Sequence, residues 1–75
     1  MQISLDLLRL GKRAVVESVN TGPTLRDRLR DFGLVPGTEV CCRYRTPGGA
    51  VTAVEFRGSV VALRTRELAG IRVRC

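Results

Sequence analysis

The sequence contains no histidine and no tryptophan, and its aromatics are one tyrosine and two phenylalanines. Without histidine the chain lacks the commonest general base and the commonest metal ligand together. Lys12 is the only lysine and sits between Gly11 and Arg13 at the start of an apolar stretch, with no carboxylate or hydroxyl spaced to form a nucleophile–base–orienter chain. The residues therefore predict no enzyme. Phosphate cradles of the G-x-x-x-x-G-K or G-x-G-x-x-G type are also missing, and Gly48-Gly49 reads as a turn between strands. No apolar run approaches the roughly 18 residues of a membrane span. Met1-Gln2-Ile3-Ser4-Leu5-Asp6 has no basic stretch of the kind that opens a signal peptide. The three cysteines (adjacent Cys41 and Cys42, and Cys75) are odd in number and show no framework spacing, which predicts reduced thiols in a cytoplasmic protein.

What is abundant is arginine. Thirteen Lys and Arg face seven Asp and Glu, for a net charge of +6, and every one of the thirteen except Lys12 is Arg. Such a surface favours a negatively charged partner: nucleic acid, anionic lipid or an acidic protein face. Glycine and proline punctuate the chain at Gly11, Gly22-Pro23, Gly33, Pro36-Gly37, Pro47-Gly48-Gly49, Gly58 and Gly70. Turn signals at that spacing, in a chain of 75 residues, predict a single domain over 1–75 that is mainly β.

Period-2 alternation marks the strands. Along Glu39 to Arg45, Val40, Cys42 and Tyr44 share an inward phase, while Cys41, Arg43 and Arg45 face out. Along Val51 to Arg57, Val54 and Phe56 point in; then Val61 and Leu63, and finally Ile71 and Val73, take the inner face. In Arg13 to Val19 the phase of Ala14 and Val16 is not that of Val19, which predicts a bulge. One stretch, about 24–32, has helical period: Leu25, Leu29 and Phe32 form a stripe, Thr24 is placed to cap it, Gly33 to end it and Pro36 to stop its resumption. Shorter turns follow Ser4 and Thr65, each with that residue's hydroxyl expected as the cap at its start. About five strands with short helices between them predict a small SH3-like β-barrel.

Two ligand classes deserve weighing. Cys41-Cys42 lacks the spacer that lets two thiolates grip one ion, and Asp27 and Asp31 are interleaved with Arg26, Arg28 and Arg30, so no cofactor or metal set is expected. Nucleic acid is the rival that charge alone favours. Stacking platforms need exposed aromatics, however, and Phe32, Tyr44 and Phe56 are all assigned to the core. Self-pairing through an open edge strand is a further alternative.

The residues also resemble a known family, the ferrous iron transport protein A (FeoA) family, over essentially the whole chain. The resemblance runs through Ser4-Leu5-x-x-Leu8, Gly11, Ala14-Val15-Val16, Gly58, Ala62-Leu63-Arg64 and Ile71-Arg72-Val73. Its most specific part is Arg28-Leu29-x-x-Phe32-Gly33-Leu34-x-Pro36-Gly37. The resemblance implies a cytoplasmic adaptor, peripheral at the inner membrane through its partner, that docks on the FeoB-type ferrous iron transporter with its G-protein domain. Members are described as metal-binding, yet this sequence shows no donor set for a metal. The docking residues are expected on the outer side of the 24–32 helix and its following turn: Arg26, Arg28, Arg30, Leu34 and Val35.

Overall fold

Six strands and two short helices make up the computed structural model, which describes residues 1–75. The strands are β1 (Gln2–Ser4), β2 (Arg13–Val19), β3 (Glu39–Arg45), β4 (Val51–Phe56), β5 (Ser59–Arg64) and β6 (Ile71–Arg74); the helices are α1 (Pro23–Phe32) and α2 (Thr65–Leu68), with a 3₁₀ turn at Leu5–Leu7. All pairings are antiparallel in one sheet of order β1-β6-β2-β3-β4-β5. The mainly β class stands, with one strand more than expected, because β1 spans three residues and is too short to show period 2.

The inner face of the sheet and the helices share one apolar cluster. Val16, Val40, Val54, Phe56, Ile71 and Val73 come from strands, Leu29 from α1, Leu68 from α2, and Leu5 and Leu8 from the 3₁₀ turn and its exit. Val61 and Leu63 pack against its margin. β2 has the expected bulge, a register shift between Val16 and Ser18 against β6. A second bulge, between Cys42 and Tyr44 against β4, went unread in the sequence and has the larger consequence. One extra residue exchanges the two faces of a strand. Tyr44 therefore leaves the core phase and is 57% exposed, opposite Ala53. Arg45 turns the other way, lies opposite buried Thr52, and clamps the N-terminal segment: its Nη2 donates to the Asp6 and Leu8 carbonyls at 2.9 and 3.1 Å, and its Nε to Thr52 Oγ1 at 3.2 Å.

Four other assignments change. Cys41 keeps its outward phase yet is only 2% exposed. It lies between Arg13 of β2 and Glu55 of β4, and the ion pairs Arg13–Glu39 (3.0 Å) and Arg43–Glu55 (3.4 Å) hold long side chains beside it. α1 is capped by Gly22 with Pro23 as its first residue, so the fixed φ of proline starts the helix and Thr24 caps nothing. Thr65 likewise begins α2 rather than capping it, and its hydroxyl meets that of Thr52 at 2.8 Å. Phe32, the last residue of α1, is 56% exposed, because the chain reverses at Gly33 and Leu34 takes the place over the core.

Candidate functional site

The turn that follows α1 is held by a closed set of hydrogen bonds. Gly33 adopts the left-handed conformation (φ 95°), its amide donates to the Arg30 carbonyl at 2.9 Å, and the Leu34 amide donates to the Leu29 carbonyl at 2.8 Å. These are the two bonds of a Schellman C-cap, and the accompanying apolar contact is supplied by Leu34 and Leu29, both members of the core cluster. Thr38 completes the arrangement. Its hydroxyl donates to the Gly33 carbonyl at 2.9 Å and accepts from the Val35 amide at 3.3 Å, while its backbone carbonyl receives the Val16 amide at 2.9 Å. The Gly37 amide donates to the Val16 carbonyl at 2.8 Å, so the turn is stitched to β2 before β3 begins. The Arg57 side chain closes the outside: a Cβ added at Gly33 would lie 2.5 Å from its Cδ.

This frame positions four of the five expected docking residues around one shallow groove. Arg26 and Arg30, one turn apart on α1, form a wall, and Val19, Leu34, Val35 and Pro36 line the rest of a cavity of about 320 Å³. No acidic side chain lines it. Arg30 is ion-paired with Asp27, whereas Arg26 has no ion pair. One member of the expected set, Leu34, is corrected, and another, Arg28, lies outside the groove. Leu34 is 1% exposed and belongs to the core, so it forms a floor and not a protruding contact. Arg28 is exposed but does not line the groove, since two residues along a helix place a side chain on the far side of the axis.

The cysteines form no shared site. The Cys42 thiol lies 3.8 Å from the Leu5 carbonyl and the Cys41 thiol 3.9 Å from the Cys42 carbonyl, both buried, while Cys75 is exposed. Burial pushes the Cys42 thiol above its ordinary value; the Arg45 charge opposes that shift and Cys41 reinforces it. A thiol held protonated is a poor metal ligand. No group of three or more His, Cys, Asp or Glu side chains is placed to hold an ion, so the side chains present do not fit a resident metal. No helix is long and apolar enough to cross a membrane.

Phe32 and Tyr44, both expected in the core, are exposed and so available to solvent. They sit on different elements, the end of α1 and β3.

Comparison with known proteins follows the same lines. No curated protein matches the chain by sequence. Among known structures, the chain is similar to the FeoA protein of Chlorobium tepidum, with 36% identity, a TM-score of 0.92, and coverage of 96% of this chain and 69% of that one. It is similar also to zinc-complexed FeoA of Stenotrophomonas maltophilia, with 35% identity, a TM-score of 0.82, and coverage of 97% and 88%. That protein is described as a procaryotic SH3 domain protein, and a role as a ferrous iron transport activating factor has been suggested for it. A manganese-dependent transcriptional repressor shares the fold alone, at 16% identity and a TM-score of 0.86, with 97% of this chain covering 41% of that one. The FeoA domain model matches residues 3–75, which takes in the α1 turn, the groove, β2 to β6 and all but the first residue of β1, and the chain therefore belongs to the FeoA domain family.

Proposed function

We propose that the protein is a non-enzymatic accessory of ferrous iron transport that docks on the cytoplasmic side of an FeoB-type transporter carrying a G-protein domain and modulates its uptake. Family membership supports the role in iron transport. The observation that carries the docking surface is the groove beside α1, walled by Arg26 and Arg30 and lined by Val19, Val35 and Pro36 over the Leu34 floor. An apolar strip edged with cations and free of acids suits a partner segment that presents an apolar side chain next to a carboxylate. The rigid turn beneath it means that little order has to be gained on binding. Ferrous iron is the cargo of the partner, and no residue set here is assigned to carry it.

The test is a titration against the detergent-solubilised transporter of the same organism, at physiological salt, with and without guanine nucleotide. Saturable and nucleotide-sensitive binding is expected. Arg26→Glu and Arg30→Glu weaken it by about tenfold or more while leaving the fold intact, and Arg28→Glu, outside the groove, leaves it near the parent value. Unchanged affinity in both groove variants rejects this surface, and no binding in any nucleotide state rejects the adaptor role. A parallel titration with mixed oligonucleotides distinguishes the nucleic-acid alternative, which requires affinity that falls steeply with salt.

A further inference from the structure

β5 is the longer of the two edge strands and the less protected. The sheet ends at β1 on one side and at β5 on the other, and β5 pairs with β4 alone. The two-residue turn Arg57-Gly58, with both φ values positive (53° and 78°), fixes which backbone groups face β4. Phe56 and Ser59 flank that turn as a bonded pair, so Val54–Val61 and Thr52–Leu63 are bonded pairs too. Hydrogen bonds on both sides of the start of β4 agree. Val51 uses its carbonyl and its amide on Thr46, and the Thr65 amide donates to the Ala50 carbonyl at 2.9 Å. The amides and carbonyls of Val60 and Ala62 therefore point away from the sheet.

Edge strands are ordinarily blunted by proline, lysine, a bulge or a covering segment. From Ser59 to Leu63 there is no charge and no proline, and the register with β4 is regular throughout. Val60 is 60% exposed and Ala62 is exposed. Beyond Leu63 the character changes. Arg64 and Arg66 flank an open cavity of about 500 Å³ whose other walls are Gly49, Ala50 and Val51. Neither arginine has an ion pair, and no acid lines the cavity. Glu67, the nearest acid in sequence, is occupied in accepting the Arg64 amide at 3.3 Å.

We propose that the open edge of β5 is a docking site for an extended, acid-bearing segment of a partner protein, which adds to the sheet as a further strand and sets a carboxylate between Arg64 and Arg66. Outward amides and carbonyls at Val60 and Ala62 supply the ladder, and the two arginines supply direction, since only one end of the edge opens into a cationic cavity. A second copy of this chain is the poorer occupant. Antiparallel self-pairing brings the Arg64–Arg66 end of one strand to the Arg57 end of its copy, between two molecules that each carry +6. The edge is separate from the α1 groove, so failure here leaves the docking reading above untouched.

The experiment is an amide chemical-shift titration of the isotope-labelled full chain. Its probe is a short synthetic peptide of alternating valine and threonine with glutamate at both ends. Saturable shifts centred on the Val60 and Ala62 amides are expected. Val60→Pro removes one outward donor without touching the β4 ladder and weakens binding about tenfold, its fold verified by unchanged Val54 and Val61 amides. A lysine-ended peptide, or Arg64→Glu with Arg66→Glu, produces a comparable loss. The proposal is overturned by absent shifts, by shifts confined to other strands or to α1, by unchanged affinity in Val60→Pro, or by equal binding of the lysine-ended peptide. Shifts at β5 that follow protein concentration alone overturn it in favour of the second copy.

Discussion

Between Pro23 and Val40, the backbone groups of the helix end and of the reversal after it find partners within a few residues or on β2. Along Ser59 to Arg64 half the backbone groups face outward, and the side chains that follow them, at Val60 and Ala62, are exposed. The first region carries the most distinctive run of residues in the chain, Arg28-Leu29-x-x-Phe32-Gly33-Leu34-x-Pro36-Gly37, and the second carries none. The contrast teaches that a distinctive motif marks where backbone geometry is demanding. Gly33 and Leu34 are dictated by the helix end, whereas Arg26, Arg30 and Val35 around that device line the groove with side chains the helix end does not require.

The contrast can be broken most severely at Leu29. Leu29→Ala removes the contact that Leu34 folds back upon, and chemical denaturation is expected to show a loss of about 2–5 kcal/mol, enough to unfold a domain of this size. Gly33→Ala is the next largest. It places a side chain at φ 95° and against the Arg57 stem, and costs about 1–2 kcal/mol. Repeating it in an Arg57→Ala background separates the two causes, because the steric part disappears while the dihedral part remains. At the other region, Val60→Thr keeps a β-branched residue on the open edge and changes stability by less than about 0.5 kcal/mol. A loss at Val60 as large as that at Gly33 would mean that the edge is structural, and the distinction between the regions would fail.

Much of this was legible in the residues themselves. Inner faces set by Val40, Cys42, Val54, Phe56, Ile71 and Val73 follow from alternation, and the end of α1 follows from Gly33 and Pro36. What escaped has a common origin in single-residue events without a periodic signature. The bulge at Arg43 moves Tyr44 out and Arg45 in, and nothing in Glu39 to Arg45 marks it, since a polar residue at that point fits either phase. Phe32 continues the stripe of Leu25 and Leu29 perfectly well on a helical wheel, but a wheel does not show that the helix is over and that Leu34 returns to cover the core. Of the candidate surface, the helix face was readable from its arginines. The sorting of Arg26 and Arg30 from Arg28, and of Val35 from Leu34, required the path of the chain after Gly33.

The strand order holds one more consequence, for the moment of synthesis. β2, β3, β4 and β5 form a meander in which each strand pairs with the next to emerge, but β6 inserts between β1 and β2. Until Ile71 and Val73 have cleared the ribosome, β1 has no partner and β2 is an edge. A growing chain therefore passes through a stage in which the sheet is open at both β2 and β5, with Val16 lacking its cross-strand neighbour Val73. Completion of the sheet waits on β6, and a chain stalled short of it leaves both β2 and β5 without an outer partner.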